Sequence, residues 1–436
     1  KTKIWVNQNE IPDDIILDDI NNDGIISSGE LLENFQLDTI SSLYQIDSLF
    51  NEIDDDNNGY IDDIFGYDLA DNDNYPYSES LGGLFTHGTH VAGISAAETS
   101  FDSTINYGSL ASIGANCSII PIKCKKNGST GSSIQDPFQG VEYAILAGAD
   151  VINMSWGTSG IINSDDRLML NCAYEDGILL VSSAGNDGIT TIGYPAKEST
   201  VISVGNSTED DIKYSSSNYG QYIDVMAPGD DILSTLNSSS LSGYLSFTGT
   251  SMSAPFVSGL CALMRTYCPT CNSEEIYQSL FLSCDSMPND TLYHPIKDSS
   301  GVGYGRINAT KSINRLIELE PIADFNLNNS EYICPNCLID VINQSHGYIT
   351  GYKWSATSGI SISNDTIANP EIQFPSLNDF PFSISLIAYN DSIQGINQTD
   401  TFTIVDTIRT PYAELLYPVD TLYIENTDEA YFLVRF

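Results

Sequence analysis

The chain has 436 residues, and 58 Asp and Glu against 16 Lys and Arg leave a formal net charge of −42 at pH 7. Such a balance repels nucleic acid and anionic membrane surfaces and favours divalent cations as partners. No apolar run is long enough to insert into a bilayer, and the length allows two or more domains with a large core.

An acidic stretch over about residues 10–66 comes first. Asp19-Ile20-Asn21-Asn22-Asp23-Gly24-Ile25-Ile26-Ser27-Ser28-Gly29-Glu30 matches the twelve-residue EF-hand loop. Oxygens of Asp19, Asn21, Asp23, Ile25 and Glu30 would converge on one calcium ion, with Gly24 permitting the bend. The flanks read poorly as helices, so a single EF-hand-like or dockerin-like loop is expected. Asp54-Asp55-Asp56-Asn57-Asn58-Gly59-Tyr60-Ile61-Asp62-Asp63 repeats the spacing, but Phe65 stands where the closing glutamate belongs. A shortened calcium loop is expected there, using Asp54, Asp56, Asn58, the Tyr60 carbonyl, and Asp62 or Asp63. For both stretches the alternative is a solvated acidic turn.

His87-Gly88-Thr89-His90-Val91-Ala92-Gly93 follows, running into an apolar helix; it holds two of the chain's four histidines. His87 or His90 would serve a nucleophile as base. The alternatives are helix-start histidines satisfied by backbone, or a zinc site for which no further ligands stand at the right spacing. Next, Ser118–Lys123 reads as a strand, Val141 to Ala147 as a helix, Val151–Met154 as a strand and Arg167–Glu175 as a helix. Strands at Ile178–Val181 and Val201–Val204 and a helix at Ser251–Thr266 complete an alternation that implies a parallel sheet covered on both faces by helices. Gly249-Thr250-Ser251 opens the last helix, where unpaired N–H groups and the dipole suit a nucleophile that develops an oxyanion; an ordinary serine cap is the alternative. Asn186, in Ala184-Gly185-Asn186-Asp187-Gly188, reads as a turn residue tolerant of left-handed backbone.

Nine cysteines leave at least one unpaired within the chain or paired outside it. Cys268-Pro269-Thr270-Cys271 and Cys334-Pro335-Asn336-Cys337 read better as local disulfides than as a zinc ribbon, and Cys261 as a small buried hydrophobe. Composition shifts near Glu320-Pro321. Tyr348–Ser355, Ile360–Ser363 and Phe382–Tyr389 then alternate as half-buried strands, with Trp354 in the core. Residues 407–436 end on a strand-like apolar run.

These ordered motifs resemble the subtilisin family of serine peptidases over Lys1 to about Leu316. The resemblance implies an α/β subtilisin-like domain at 1–319 that carries the calcium-binding insertion, and a secreted or cell-surface endopeptidase acting on protein or peptide substrates. It makes His87 the general base, Ser251 the nucleophile and Asn186 the oxyanion donor. It places substrate along Ser155, Trp156, Gly157, Ala184 and Gly185, with Gly193 at the base of the primary pocket. Gly193-Tyr194-Pro195-Ala196, Asp224–Gly229 and Gly303–Asn308 stand in the family's order. The family's early apolar-Asp-Ser/Thr-Gly strand is missing; Ile46-Asp47-Ser48 is the nearest approach, and Ile4-Trp5-Val6-Asn7 resembles the segment that comes just after that strand in relatives. The triad aspartate is therefore expected upstream of Lys1, with this stretch nearly inactive without it. Residues 320–406 resemble a PKD or immunoglobulin-like β-sandwich, with 407–436 starting a further segment. Structural Ca2+, no organic cofactor and a monomer are expected. The alternative is a catalytically inactive binding or adhesion protein on the same fold.

Overall fold

A run as apolar as Leu179-Leu180-Val181 has no face to leave in water, and in the computed structural model of the protein it lies inside a sheet with its residues buried, while Ile178 before it stays half-buried outside the strand. The structure describes residues 4–390 apart from 13–14, 16, 22, 38–39, 45, 47, 78–86, 98–109, 130–132, 237–242, 289, 291–300, 328–337, 357–358 and 375–383. Asp47, His294, Cys334, Cys337 and the segment 407–436 lie outside the described residues. The chain divides into two units, Lys1–Leu316 and Ile317–Phe436.

In the first unit the elements run α1 (Ser28–Phe35), α2 (Ile40–Leu43), β1 (Tyr67–Asp68), α3 (His87–Ala96), β2 (Ile122–Lys123), α4 (Pro137–Leu146) and β3 (Val151–Met154). They continue α5 (Ser164–Glu175), β4 (Leu179–Ser183), β5 (Val201–Ser207), β6 (Val225–Pro228), β7 (Ile232–Thr235), β8 (Tyr244–Phe247), α6 (Thr250–Tyr267), α7 (Ser273–Phe281) and α8 (Ala309–Ile317). Strands β3, β4, β5 and β6 form a parallel sheet in that order.

Alternation along β3 separates the two faces. Ile152 and Met154 join a core with Val141 and Ala144 of α4 and Leu170 and Ala173 of α5. Between them Asn153 turns the other way and accepts a hydrogen bond from Ser258 of α6 (2.9 Å). The sheet is thus covered by helices on both faces, as the alternation implies. Helix α6 is buried along most of its length, so it reads as apolar nearly all round rather than as an amphipathic stripe. Gly259 lets α3 approach it; a Cβ there would stand 2.7 Å from the Ser95 carbonyl.

Boundaries differ from expectation for local reasons. The strand expected over Ser118–Lys123 is reduced to Ile122–Lys123, because Pro121 has no N–H to give a ladder. Upstream of it, Ile119 accepts instead from Trp5 N (2.9 Å). Helix α5 starts at Ser164, ahead of Arg167, because the Asn163 side chain caps Asp165 and Asp166 N–H. The loop-like reading around 238–243 sits between the antiparallel strands β7 and β8. Helix α7 has no counterpart among the expected elements, though Asn272 and Glu275 form a reciprocal capping box that the sequence displays.

The acidic insertion is not a mere acidic coil. Val6, Leu31, Leu32, Leu43, Leu49, Ile64 and Phe65 make a core of its own. The flank of the first loop is helical after all: Ser27 and Glu30 form a capping box that starts α1.

The second unit is antiparallel β. Strands β9 (Phe325–Leu327), β10 (Leu338–Asn343), β12 (Ser361–Ile362) and β13 (Glu371–Gln373) form one sheet in the order β12-β13-β10-β9, and β11 (Gly351–Ala356) pairs with β14 (Ile384–Tyr389) in another. Trp354 is buried in their shared core against Phe325 and donates its indole N–H to the Ile367 carbonyl (2.9 Å).

One buried hydroxyl joins the first unit's sheet to α7. Tyr277 Oη accepts from Leu180 N (2.8 Å), and its proton faces the Leu180 and Thr200 carbonyls, each at 3.0 Å. Replacing Tyr277 by Phe strands a sheet amide, so it should lower unfolding free energy by about 1–3 kcal/mol. Chemical denaturation of the two proteins, compared by midpoint at constant m-value, measures it.

Candidate active site

Ser251 is the second residue of α6, and the cap position is taken by Gly249, which makes no side-chain cap. The serine is therefore not a capping residue. Gly249 runs at φ 156° and ψ 164°, and a Cβ there would come 3.4 Å from both Asn186 Nδ2 and Oδ1. Bareness at this position lets the Asn186 side chain, rather than another backbone, lie beside the helix start.

Pro255 lies four residues after Ser251 and has no N–H, so the Ser251 carbonyl loses its helical partner. Ser155 supplies it: Ser155 Oγ donates to Ser251 O at 2.9 Å. Behind it, Asn153 Nδ2 donates to Ser155 Oγ (2.9 Å) and Asn153 Oδ1 accepts from Ser258 Oγ (2.9 Å). In return Ser251 Oγ donates to the Ser155 carbonyl (3.3 Å). The nucleophile candidate is thus tied in register to the end of β3.

The Asn186 turn is fixed to the same helix start. Its Oδ1 accepts from Thr250 N (2.8 Å) and Thr250 Oγ1 (3.2 Å), while Thr250 Oγ1 accepts from Gly185 N (3.1 Å). With Oδ1 spent in this way, Asn186 Nδ2 is the group left over. Among the described residues, neither it nor the Ser251 N–H has a hydrogen-bond partner. Two donors therefore flank the serine uncommitted.

The histidines separate clearly. His90 is buried, with Nε2 2.9 Å from the Leu245 carbonyl and its ring stacked on Phe247. His87 begins α3 on the exposed side, and α3 packs on α6. Desolvation by surrounding protein, with the neighbouring His90 adding to it, holds the His87 pKa below its usual 6.5. Burial lowers that of His90 likewise. No carboxylate among the described residues bonds to His87. The two imidazoles belong to no metal-like cluster among those residues.

Of the residues expected along a substrate, Trp156 and Gly157 keep backbone groups without partners among the described residues. Ala184 and Gly185 do not: Ala184 N donates to Val204 O, Gly185 N to Thr250, and their carbonyls accept from Asn218. Gly193 lies against backbone, since a Cβ would stand 2.5 Å from the Thr158 carbonyl, and Thr158 and Tyr194 exchange hydrogen bonds of 2.8 and 2.9 Å.

Both acidic loops fold on themselves. Asp19 accepts from Asp23 N and Gly24 N, Asn21 from Asp23 N, and Asp23 from Ile25 N, while Glu30 reaches back to Ile20 N and Asn21 N. Hydrogen bonds from the Ser27 backbone and hydroxyl hold the Glu30 carboxyl below its usual range. In the second loop Asp54 and Asp56 accept from Asn58 N, and Asn58 from Tyr60 N. Asp62 turns away to cap Asn51 N and Glu52 N, whereas Asp63 faces Asp56 and Asn58. Glu10, far off in sequence, joins this group; burial first, then Asp63 and Asp56, push its carboxyl up to about 7.

Sequence reasoning missed Thr250, Asn153, Ser258 and Glu10 as parts of these arrangements. Asn153 and Ser258 could have been suspected from their polarity inside apolar runs. Nothing local points to Glu10.

The Subtilase family profile matches residues 31–305. The chain is similar to the thermophilic serine proteinase of Bacillus sp. (strain AK1), at 35% identity over 250 residues, 57% of this chain and 56% of that protein. It is similar to the halolysin-like extracellular serine protease Nep of Natrialba magadii, at 33% over 249 residues, 57% and 42% of the two chains. Thermitase of Thermoactinomyces vulgaris matches at 37% over 203 residues, 47% and 67%. The chain spans about half the length of the first two of these relatives.

The orphaned Ser251 carbonyl sets up a double-mutant cycle. Ser155→Ala should cost about 1–3 kcal/mol of stability while Pro255 is present. With Pro255→Ala, which restores an N–H, the same change should cost less, leaving a coupling of roughly 0.5–3 kcal/mol. Strict additivity in denaturation would contradict this role for Ser155.

Proposed function

The chain belongs to the subtilase family, and from that premise we propose that it is an exported serine endopeptidase with Ser251 as nucleophile. Ser251 Oγ attacks a peptide carbonyl while His87 takes its proton; the imidazolium then protonates the departing amine, and water hydrolyses the acyl-enzyme by the reverse proton path. Asn186 Nδ2 and the Ser251 N–H hold the oxyanion. The observation that carries this reading is the pair of uncommitted donors on either side of a serine fixed at a helix N-terminus. The assignment covers nucleophile, base and oxyanion donors, since no described carboxylate orients His87.

An extended peptide would pair with the free backbone at Trp156 and Gly157. Protein substrates and export accord with the family and with the extracellular character of the Natrialba relative. No helix among the described residues is long and apolar enough to cross a membrane. The second unit reads as a PKD- or immunoglobulin-like appendage, and the protein as a monomer. Both acidic loops present oxygen donors only, which suits a hard cation, so structural calcium is proposed for each. A buried, unpartnered oxygen at the second loop, Glu10 Oε2, favours that fit. When bound, calcium would neutralise the carboxylates and stiffen the insertion.

The test is labelling of the full-length protein, in calcium, by a serine-directed fluorophosphonate. Labelling should vanish in Ser251→Ala; loss of serine or histidine costs subtilisin itself about a millionfold in turnover. No labelling of the folded wild-type protein would favour a catalytically silent binding protein instead. Asn186→Ala should lower kcat by about a hundred- to a thousandfold with little change in KM, again subtilisin's own magnitude.

The pH profile gives a separate check. His87 acts in its neutral form, which prevails above its pKa, and that pKa is depressed below 6.5. The acid limb of kcat/KM should therefore turn down below pH 6.5 and vanish as a titration in His87→Ala.

A further inference from the structure

Glu10 lies in a single turn of 3-10 helix, Gln8–Glu10, whose cap is Asn7. It is fully buried. Its Oε1 accepts from Asp56 N (3.2 Å), but Oε2 is buried with no hydrogen-bond partner. Glu10, Asp56 and Asp63 each place a carboxylate oxygen within 4.8 Å of the others. No Lys or Arg among the described residues pairs with any of the three. Three carboxylates this close, one of them with a buried, unpartnered oxygen, are stable together only with a proton or a cation from solution to neutralise them, and a cation would satisfy all three at once.

The second loop lacks its closing glutamate because position 12 is Phe65, and Phe65 is 1% exposed in the insertion's own core. A side chain committed to the core cannot also close a metal shell. We propose that Glu10 closes it from outside the loop, completing a calcium site with Asp54, Asp56, Asn58, Asp63 and the Tyr60 carbonyl. These donors meet the appetite of calcium for about six to eight oxygens. The inference rests on reading 54–63 as a calcium loop.

The surrounding contacts make the N-terminal segment the other half of the site. Asn7 Nδ2 donates to Asp56 Oδ2 (3.0 Å) and Asp63 Oδ1 (2.7 Å), and Asn7 N donates to the Ile64 carbonyl (2.9 Å). Gln8 grips the first loop with both ends of its amide: Nε2 donates to Ile26 O (2.9 Å) and Oε1 accepts from Ile26 N (2.7 Å). One turn therefore supplies a ligand to the second loop and holds the backbone of the first. The ion would clip residues 7–10 to a loop that lies 46 residues further along the chain, a site no contiguous motif encodes.

Calorimetric titration of the full chain with calcium chloride, after chelator treatment, tests this with Glu10→Gln, Glu10→Asp and Asp56→Asn beside the wild type. Asp56→Asn should remove one bound ion. Glu10→Gln keeps the shape of the side chain and should weaken that same ion by about tenfold or more. Glu10→Asp keeps the charge but shortens the reach, so it should weaken the ion too, and it stands in if the glutamine variant fails to fold. Loss of an ion in Asp56→Asn with unchanged number and affinity in both Glu10 variants would overturn the role of Glu10 and leave the loop reading intact. An unchanged titration in all three variants would overturn the loop reading itself, and the proposal with it. Tyrosine-sensitised terbium emission reports the same site independently, because Tyr60 and Tyr143 pack 4.8 Å apart beside Asp63 and should lose signal in Glu10→Gln.

Discussion

Because Pro255 has no N–H to offer, the carbonyl of Ser251 must find a partner outside its own helix, and the way it does so ties the site together. That partner is Ser155 at the end of β3, and the serine hydroxyl faces the Ser155 carbonyl in exchange. An unmet buried carbonyl costs about as much as a whole hydrogen bond contributes, so the alignment of α6 with β3 is set within a narrow range. Asn153 and Ser258 carry the constraint into the sheet and back to the helix. The position of Ser251 is thereby coupled to the packing of the first unit's central layers.

The Asn186 turn obeys the same logic. Thr250, buried at the first turn of α6, occupies the Asn186 carbonyl oxygen and the Gly185 N–H together. Each bond made inside the protein leaves another group unspent, and the unspent groups are the donors beside Ser251. The open donors here are an outcome of which polar groups the fold satisfies and which it leaves over. His87 stands on a helix that packs along α6, and desolvation holds its pKa below the usual 6.5. Its sequence neighbour His90 is withdrawn from chemistry by the Leu245 carbonyl and the Phe247 ring.

The acidic insertion answers a different problem. Its loops crowd carboxylates on a chain whose net charge is already −42, over a compact apolar core of Leu31, Leu43, Leu49, Ile64 and Phe65. Backbone N–H groups absorb much of that charge, since Asp19, Asp23, Asp54, Asp56 and Asp62 each accept one or two of them. Glu10, Asp56 and Asp63 stand closest together and leave Glu10 Oε2 without a partner, and it is there that a cation would have most to contribute.

The amino-acid sequence by itself determined the alternation of strands and helices, the parallel sheet, and the motifs around Asn186, Ser251 and the pair His87 and His90, without separating the two histidines. These are local signals: apolar runs, glycine turns and a serine before a buried helix. Capping boxes at Ser27 and Asn272 were equally local and were there to be read. Partnership between residues far apart in the chain was decided only by the tertiary structure. The choice of His87 over His90 depends on a carbonyl 155 residues away, and the hold on Ser251 on a serine 96 residues away. Glu10 meets Asp56 across 46 residues, at a position that no loop template includes. Hydrogen bonds and ion sites are satisfied in space, and a linear pattern records them only when the partners are neighbours in the chain.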